Sequence, residues 1–168
     1  PVERWFRRQG WVPHSFQRAA WAAFNEGNSA LIQAPTGSGK TYAGMGGLVN
    51  FALQKSGDLA DSVGLQLLWI APIRALTKEI QSSAERLIAG VGLNWKVGIR
   101  TGDTVASVKA EYRKGLPEVL ITTPESLHVM LAMRGSAKRF GSLQLMVVDE
   151  WHELMGTKRG TQVELASA

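Results

Sequence analysis

Cysteine is absent from the 168 residues. That excludes a disulfide framework, a thiolate metal site and a cysteine nucleophile, and it suits a cytoplasmic setting. Acid is in short supply too. Fourteen Asp and Glu face nineteen Lys and Arg, a formal charge of +5, which favours anionic partners without selecting one. No run of about 18 apolar residues occurs, so nothing reads as a membrane span. Pro1 to Arg8 carries charge with no apolar stretch behind it, unlike a secretory signal. There is no internal repeat. What remains is a chain that is 45% apolar and 20% charged, the composition of one compact domain with a substantial core.

Short apolar runs alternate with segments of helical period. The expected strands are Ala30–Gln33, Gln66–Ile70, Trp95–Ile99, Glu118–Thr122 and Leu143–Val148. Between them, Phe16, Ala20, Ala23 and Phe24 share one helical stripe, as do Ile73, Leu76, Ile80, Ala84 and Leu87. This alternation predicts an α/β fold with a mostly parallel central sheet and helices on both faces. Ligands of such sheets sit beyond the carboxyl ends of the strands, so the residues just after each strand are the ones to inspect.

After the first expected strand comes Ala34-Pro35-Thr36-Gly37-Ser38-Gly39-Lys40-Thr41, leading into a helical run. Strand, glycine-rich loop and helix together are the context of a phosphate-binding loop. Gly37 and Gly39 let backbone N–H groups turn inward, with Pro35, Thr36 and Ser38 completing the cradle. The helix start adds partial positive charge, Lys40 reaches the β and γ oxygens, and Thr41 can ligate Mg²⁺. The general pattern has glycine at the motif's first place, where this chain has Ala34.

The last apolar run delivers Asp149-Glu150-Trp151-His152. Two adjacent carboxylates at a strand end are costly unless a cation neutralises them. A nucleotide-bound Mg²⁺ held by Asp149, with Glu150 polarising the attacking water, satisfies that need. His152 can link the γ-phosphate region to a neighbouring element; a hydrogen-bonded loop histidine is the plainer reading.

With these motifs in view, the sequence resembles the superfamily-2 DExH-box helicases, in which alanine at the first place of motif I is usual. Ala34–Thr41 matches motif I, and Asp149-Glu150-Trp151-His152 matches motif II. Together with Lys158-Arg159-Gly160-Thr161-Gln162-Val163-Glu164-Leu165 and the opening Trp5-Phe6 and Gly10-Trp11-Val12-Pro13, it is most similar to the large helicase-related and ligase-associated DEXH-box DNA helicases. The resemblance spans the chain and implies a three-layer RecA-like ATP-binding domain over residues 1–168, with 1–28 as a Q-motif-like segment.

It also implies roles. Gln17 matches the glutamine that reads the N6 and N7 edge of adenine, with Trp5, Phe6 or Trp11 stacking on the base. Pro72 and Arg74, then Thr101 and Gly102, then Thr123, Pro124 and Glu125, match loops that grip successive phosphates of one strand, chemistry that suits helix-start N–H groups, hydroxyls and an arginine. The basic groups Lys109 with Arg113-Lys114, Lys138-Arg139 and Lys158-Arg159 could extend that groove, but a helix face bearing Lys109, Glu111 and Arg113 reads first as solvated.

The resemblance implies ATP and Mg²⁺ as cofactors. Single-stranded or partly duplex DNA is the implied partner, with RNA as the alternative. An ATP-dependent DNA ligase is a further implied partner, in repair at the bacterial nucleoid. A second RecA-like domain, expected to lie outside this chain, supplies the arginines that complete the ATP cleft. A small-molecule kinase would need an arginine-rich lid that the sequence lacks, and intact Lys40, Asp149 and Glu150 argue against a non-catalytic module.

Overall fold

The computed structural model describes residues 1–35, 37–54, 64–154 and 156–167. Thr36 of the expected phosphate loop lies outside them. The chain forms two compact units, Pro1–Ser62 with Ser82–Trp95, and Val63–Gln81 with Lys96–Ala168.

The first unit contains α1 (Val2–Arg8), α2 (Ser15–Asn25), α3 (Lys40–Gln54) and the later turns of α4 (Thr77–Val91). Its core is aromatic. Trp5, Phe6 and Trp21 are buried and meet edge to face, Phe6 lying 5.4 Å from Trp5 and 5.7 Å from Trp21 between ring centroids. Such pairs add about 0.5–1.5 kcal/mol each beyond area burial. Glycines on the facing helices let these rings seat. A Cβ at Gly46 would fall 2.3 Å from the Trp21 indole nitrogen, and one at Gly90 would fall 2.0 Å from that of Trp5. The Trp21 N–H donates to the Tyr42 carbonyl at 2.9 Å, so the buried indole is satisfied. The expected stripe on α2 flanks the deepest line, which runs through Gln17 and Trp21.

The second unit is built on β1 (Leu67–Ile70), β2 (Val97–Arg100), β3 (Val119–Thr122) and β4 (Leu145–Val148). Among the described residues these form one all-parallel sheet in the order β2-β3-β1-β4. The helices α5 (Ala106–Lys114), α6 (Pro124–Leu131), α7 (Ser136–Phe140), α8 (Trp151–Leu154) and α9 (Lys158–Ser167) connect or follow the strands. The α/β class expected from the alternating pattern is thus observed. β1 and β3, the central pair, are buried along their whole length, as unbroken apolar runs require. Leu68, Ile70, Leu120, Leu127, Met130, Leu154 and Val163 belong to one core cluster.

Three expectations need correction. Among the described residues Ala30–Gln33 pairs in no ladder, and Leu31 is 86% exposed. A four-residue apolar run favours extended backbone but does not name a pairing partner, and register comes from the partner. The second strand begins at Val97 instead of Trp95, because the Lys96 N–H is taken by the Glu118 carboxylate at 2.8 Å. Ile73, the first member of the expected α4 stripe, precedes the helix and is 44% exposed; Ile80, Ala84 and Leu87 are buried as expected.

Gly46→Ala tests the close approach in the aromatic core. Alanine favours a helix interior by about 1 kcal/mol over glycine, yet here it meets an indole that is 4% exposed. Overpacking of that kind costs about 1–3 kcal/mol. Thermal unfolding of the variant is expected several degrees below the parent, and an unchanged or raised Tm would refute the packing account.

Candidate functional site

In the first unit the phosphate loop opens α3. Gly37 (φ 78°) and Gly39 (φ 87°) are left-handed, a conformation that side chains resist and that turns successive N–H groups inward. The Ser38 hydroxyl donates to the Pro35 carbonyl at 2.6 Å and closes the turn. The Lys40 ammonium lies back on the loop's own start, donating to the Ala34 carbonyl at 3.0 Å. Lys40 and Thr41 therefore stand in the first turn of a 15-residue helix, where its N-terminal dipole favours anions.

Gln17 is 1% exposed, and the chain itself occupies both ends of its amide. Its Oε1 accepts from the His14 N–H at 2.8 Å, and its Nε2 donates to the Gly39 carbonyl at 3.0 Å. A Cβ at Gly39 would fall 2.6 Å from that nitrogen, so glycine is needed there for approach as well as for φ. Gln17 thus ties α2 to the phosphate loop. Of the three aromatic candidates for base stacking, Trp5 (1%) and Phe6 (3%) are core, while Trp11 keeps 38% of its surface.

In the second unit the sheet register controls the geometry. Arg100, Thr122, Ile70 and Val148 lie level across the four strands. Each strand therefore ends at the same edge, and the next residues are Thr101, Thr123, Ala71 and Asp149. The Asp149 N–H prolongs the ladder to the Ile70 carbonyl at 2.9 Å. Its carboxylate is oriented by two donors, the Trp69 indole at 3.4 Å and the Glu150 N–H at 3.0 Å.

Among the described residues Glu150 is the one outside glycine with positive φ, at 46°, a conformation costing about 1 kcal/mol. Strain of this kind is kept where the surroundings over-determine it. The His152 ring sits between two carboxylates, Nδ1 3.5 Å from Glu150 and Nε2 3.4 Å from Glu153. The ring stands on α8 and faces one member of the acidic pair, Glu150.

The expected phosphate-gripping residues divide by exposure. Arg74, Gly102 and Glu125 are exposed; Pro72, Thr101, Thr123 and Pro124 are buried. Thr101 shapes its loop, its N–H donating to the Thr104 hydroxyl at 2.8 Å. Thr123 caps α6, accepting from the Ser126 N–H with Pro124 at the first helical position. Arg74 pairs with Asp103 and lines a groove of about 390 Å³ with Thr77, Lys78, Thr101 and Thr104.

The Glu125 carboxylate pairs with Arg159 of α9. Burial raises its pKa, but hydrogen bonds from its own backbone and the Thr123 hydroxyl, together with Arg159, outweigh this and hold it below the ordinary value. Sequence reasoning missed Trp69 as the orienting donor, because a tryptophan inside an apolar strand reads as core.

No group of three or more His, Cys, Asp or Glu able to cage a metal occurs among the described residues. Mg²⁺ does not require one, because it is usually held by one or two carboxylates while substrate phosphates and waters complete its shell. Thr41 in the first unit and Asp149 in the second are each an oxygen donor of the kind Mg²⁺ takes.

A glycine-bent phosphate loop opening a helix, with an acidic pair ending a parallel strand, defines a P-loop nucleotide-binding protein of the RecA-like α/β class. The DEAD/DEAH box helicase model matches residues 14–168, and the chain belongs to that family. It is 35% identical over 177 residues to the Lhr helicase/probable uracil glycosylase of Mycolicibacterium smegmatis, covering 98% of this chain and 11% of the relative. It is 34% identical over 178 residues to ATP-dependent helicase Lhr-Core protein 2 of Thermococcus barophilus, covering 99% of this chain and 20% of the relative. A solved structure of the Mycobacterium smegmatis helicase Lhr bound to ssDNA and AMP-PNP superposes with a TM-score of 0.85 at 34% identity, over 98% of this chain and 22% of that one. The chain thus spans a tenth to a fifth of the length of these curated relatives. No helix among the described residues is long and apolar enough to cross a membrane.

The lowered pKa of Glu125 has a sign that can be tested. A depressed folded value contributes stability above the unfolded pKa that is lost as pH falls through the folded one. Glu125→Gln is expected to lower Tm at neutral pH. The gap to the parent should close as pH drops below the ordinary value of 4.5. A gap that stays constant through acid would refute the ion-pair assignment.

Proposed function

We propose that this chain is the ATP-binding motor domain of a DNA helicase or translocase, in which hydrolysis of Mg-ATP drives movement along one strand. The observation that carries this reading is the acidic pair at the end of β4. Asp149 is aimed by Trp69 and the Glu150 N–H, and Glu150 is held in a left-handed conformation. The reading includes a second RecA-like domain that completes the ATP cleft. It also includes, in DNA repair at the bacterial nucleoid, work beside an ATP-dependent DNA ligase.

In this mechanism the loop N–H groups around Gly37 and Gly39 and the Lys40 ammonium bind the β and γ phosphates. Thr41 and Asp149 would hold Mg²⁺, which when bound would supply neutralisation of the charge developing on the phosphate oxygens. Glu150 accepts the proton of the water that displaces ADP from the γ-phosphorus. His152, between Glu150 and Glu153, relays the state of that carboxylate to neighbouring structure. Trp11 stacks on adenine. Gln17 reads the base edge by exchanging the His14 N–H for adenine N6–H and the Gly39 carbonyl for N7. Occupancy of the base site would thereby be felt in the phosphate loop. Arg74 and the loops at Gly102 and Thr123 hold strand phosphates; the ssDNA in the related Lhr structure supports DNA over RNA.

The isolated chain is expected to bind Mg-ATP, to lose at least tenfold in affinity with Lys40→Ala, and to hydrolyse negligibly, because absent arginine fingers cost about a thousandfold or more. Brisk DNA-stimulated hydrolysis by the 168 residues would overturn the need for a second domain. In a polypeptide carrying both domains, Glu150→Gln should keep ATP binding while hydrolysis drops by about a hundredfold or more. An active Glu150→Gln would refute the general-base role, and equal competition by DNA and RNA strands would refute the preference for DNA.

A further inference from the structure

Four cations of the second unit surround one dent in its surface. Arg100 ends β2, Lys109 and Arg113 stand one turn apart on α5, and Arg139 comes from α7; together with Tyr112 and Met130 they line a cavity of about 10 Å³. α5 is fixed there by Tyr112, whose hydroxyl lies so close over β2 that a Cβ at Gly98 would fall 2.2 Å from it. Its basic face is therefore docked against the end of Arg100. Among the described residues none of the four cations pairs with a carboxylate.

The charge arrangement is costly as it stands. Arg100 is 8% exposed, and burial first, then repulsion from Arg113, lower its pKa. Each group still has hydrogen-bonding capacity. Of the five donors on a guanidinium, Arg100 gives one to the Thr101 carbonyl and Arg139 gives two, to the Arg134 and Met130 carbonyls. Lys109 gives one of its three to the Gly102 carbonyl at 2.7 Å. The cavity admits about one water-sized atom, which suits a single non-bridging phosphate oxygen with the rest of the group at the surface. Arginine forks match phosphate geometry, and a buried guanidinium beside other cations is stabilised by such an anion.

We propose that Arg100, Lys109, Arg113 and Arg139 form a further phosphate site, which takes a backbone phosphate of the nucleic-acid strand after it leaves the strand-end loops. The inference rests on the nucleic-acid reading above. It is favoured over a site for free anions by the shared loop. Arg100 and Lys109 hold the carbonyls of Thr101 and Gly102, while Arg74 and Asp103 form the other side of the same turn. A strand lying on that turn reaches the cluster by continuing along it.

The test measures binding of fluorescent oligothymidines of two lengths to the 168-residue protein over a series of salt concentrations. Arg113 is exposed and Arg139 half-buried; the double variant Arg113→Ala/Arg139→Ala is checked by thermal melting, and Arg113→Glu alone serves if the double variant is unfolded. The variants are expected to weaken the longer strand at least fivefold and to lower the slope of log affinity against log salt by about 0.7 per phosphate lost. The short strand should be little changed. Arg74→Ala should weaken both lengths, which separates failure of the strand-end reading from failure of this site. An unchanged affinity and slope for the longer strand would overturn the proposal. So would inorganic phosphate alone raising the Tm of the parent, but not of the variants, with oligothymidine binding untouched.

Discussion

The parallel register of the four strands is the constraint on which the second unit's chemistry depends. Because Arg100, Thr122, Ile70 and Val148 are level, every strand hands its next residue to the same edge of the sheet. A one-residue slip in any pair would also move every side chain to the opposite face, and both faces of the fully buried β1 and β3 are packed. Core packing therefore fixes where Asp149, Thr101 and Thr123 stand. Buried side chains then finish the loops. The Thr122 hydroxyl donates to the Arg100 carbonyl at 2.6 Å, Thr123 caps α6, and the Trp69 indole reaches from inside β1 to aim the Asp149 carboxylate.

The first unit meets a similar need with different means. Its phosphate loop depends on glycines that permit left-handed backbone, and its aromatic core depends on glycines that permit close approach. Gln17 joins the two requirements, since its amide fits against the Gly39 carbonyl only where no Cβ stands. A buried amide with both ends bonded costs little to bury, and it transmits any shift of the loop to α2. That is a physical reason for a polar residue at the centre of an otherwise apolar helix face.

Much of this was legible in the sequence, and the failures have identifiable causes. Three of the five expected strands matched closely because apolar runs bounded by breakers specify strands well. Ala30–Gln33 carried the same signal without a ladder, because periodicity speaks to one chain segment and pairing to two. The phosphate loop and the acidic pair were readable as spacing, since their chemistry requires adjacent residues. What spacing could not show was partnership between distant positions: Asp103 holding Arg74, Arg159 holding Glu125, and Trp69 holding Asp149 lie between 29 and 80 residues from their partners. Nor could it choose among Trp5, Phe6 and Trp11, which burial separates.

The same distinction sharpens what the charge of +5 means. Arg18, Arg74 and Arg159 each pair with a nearby carboxylate, so an anion gains their charge only by competing with that carboxylate. Arg100, Lys109, Arg113 and Arg139 have no such partner among the described residues and stand together. Arg100, Lys109 and Arg139 are held there by backbone hydrogen bonds, so the repulsion among these like charges is a standing cost of the folded chain. An anion that enters removes that cost and adds charge-assisted hydrogen bonds, whereas the same anion at a paired arginine must first displace a carboxylate. Position relative to carboxylates, more than net charge, therefore decides where a polyanion gains most from binding this surface.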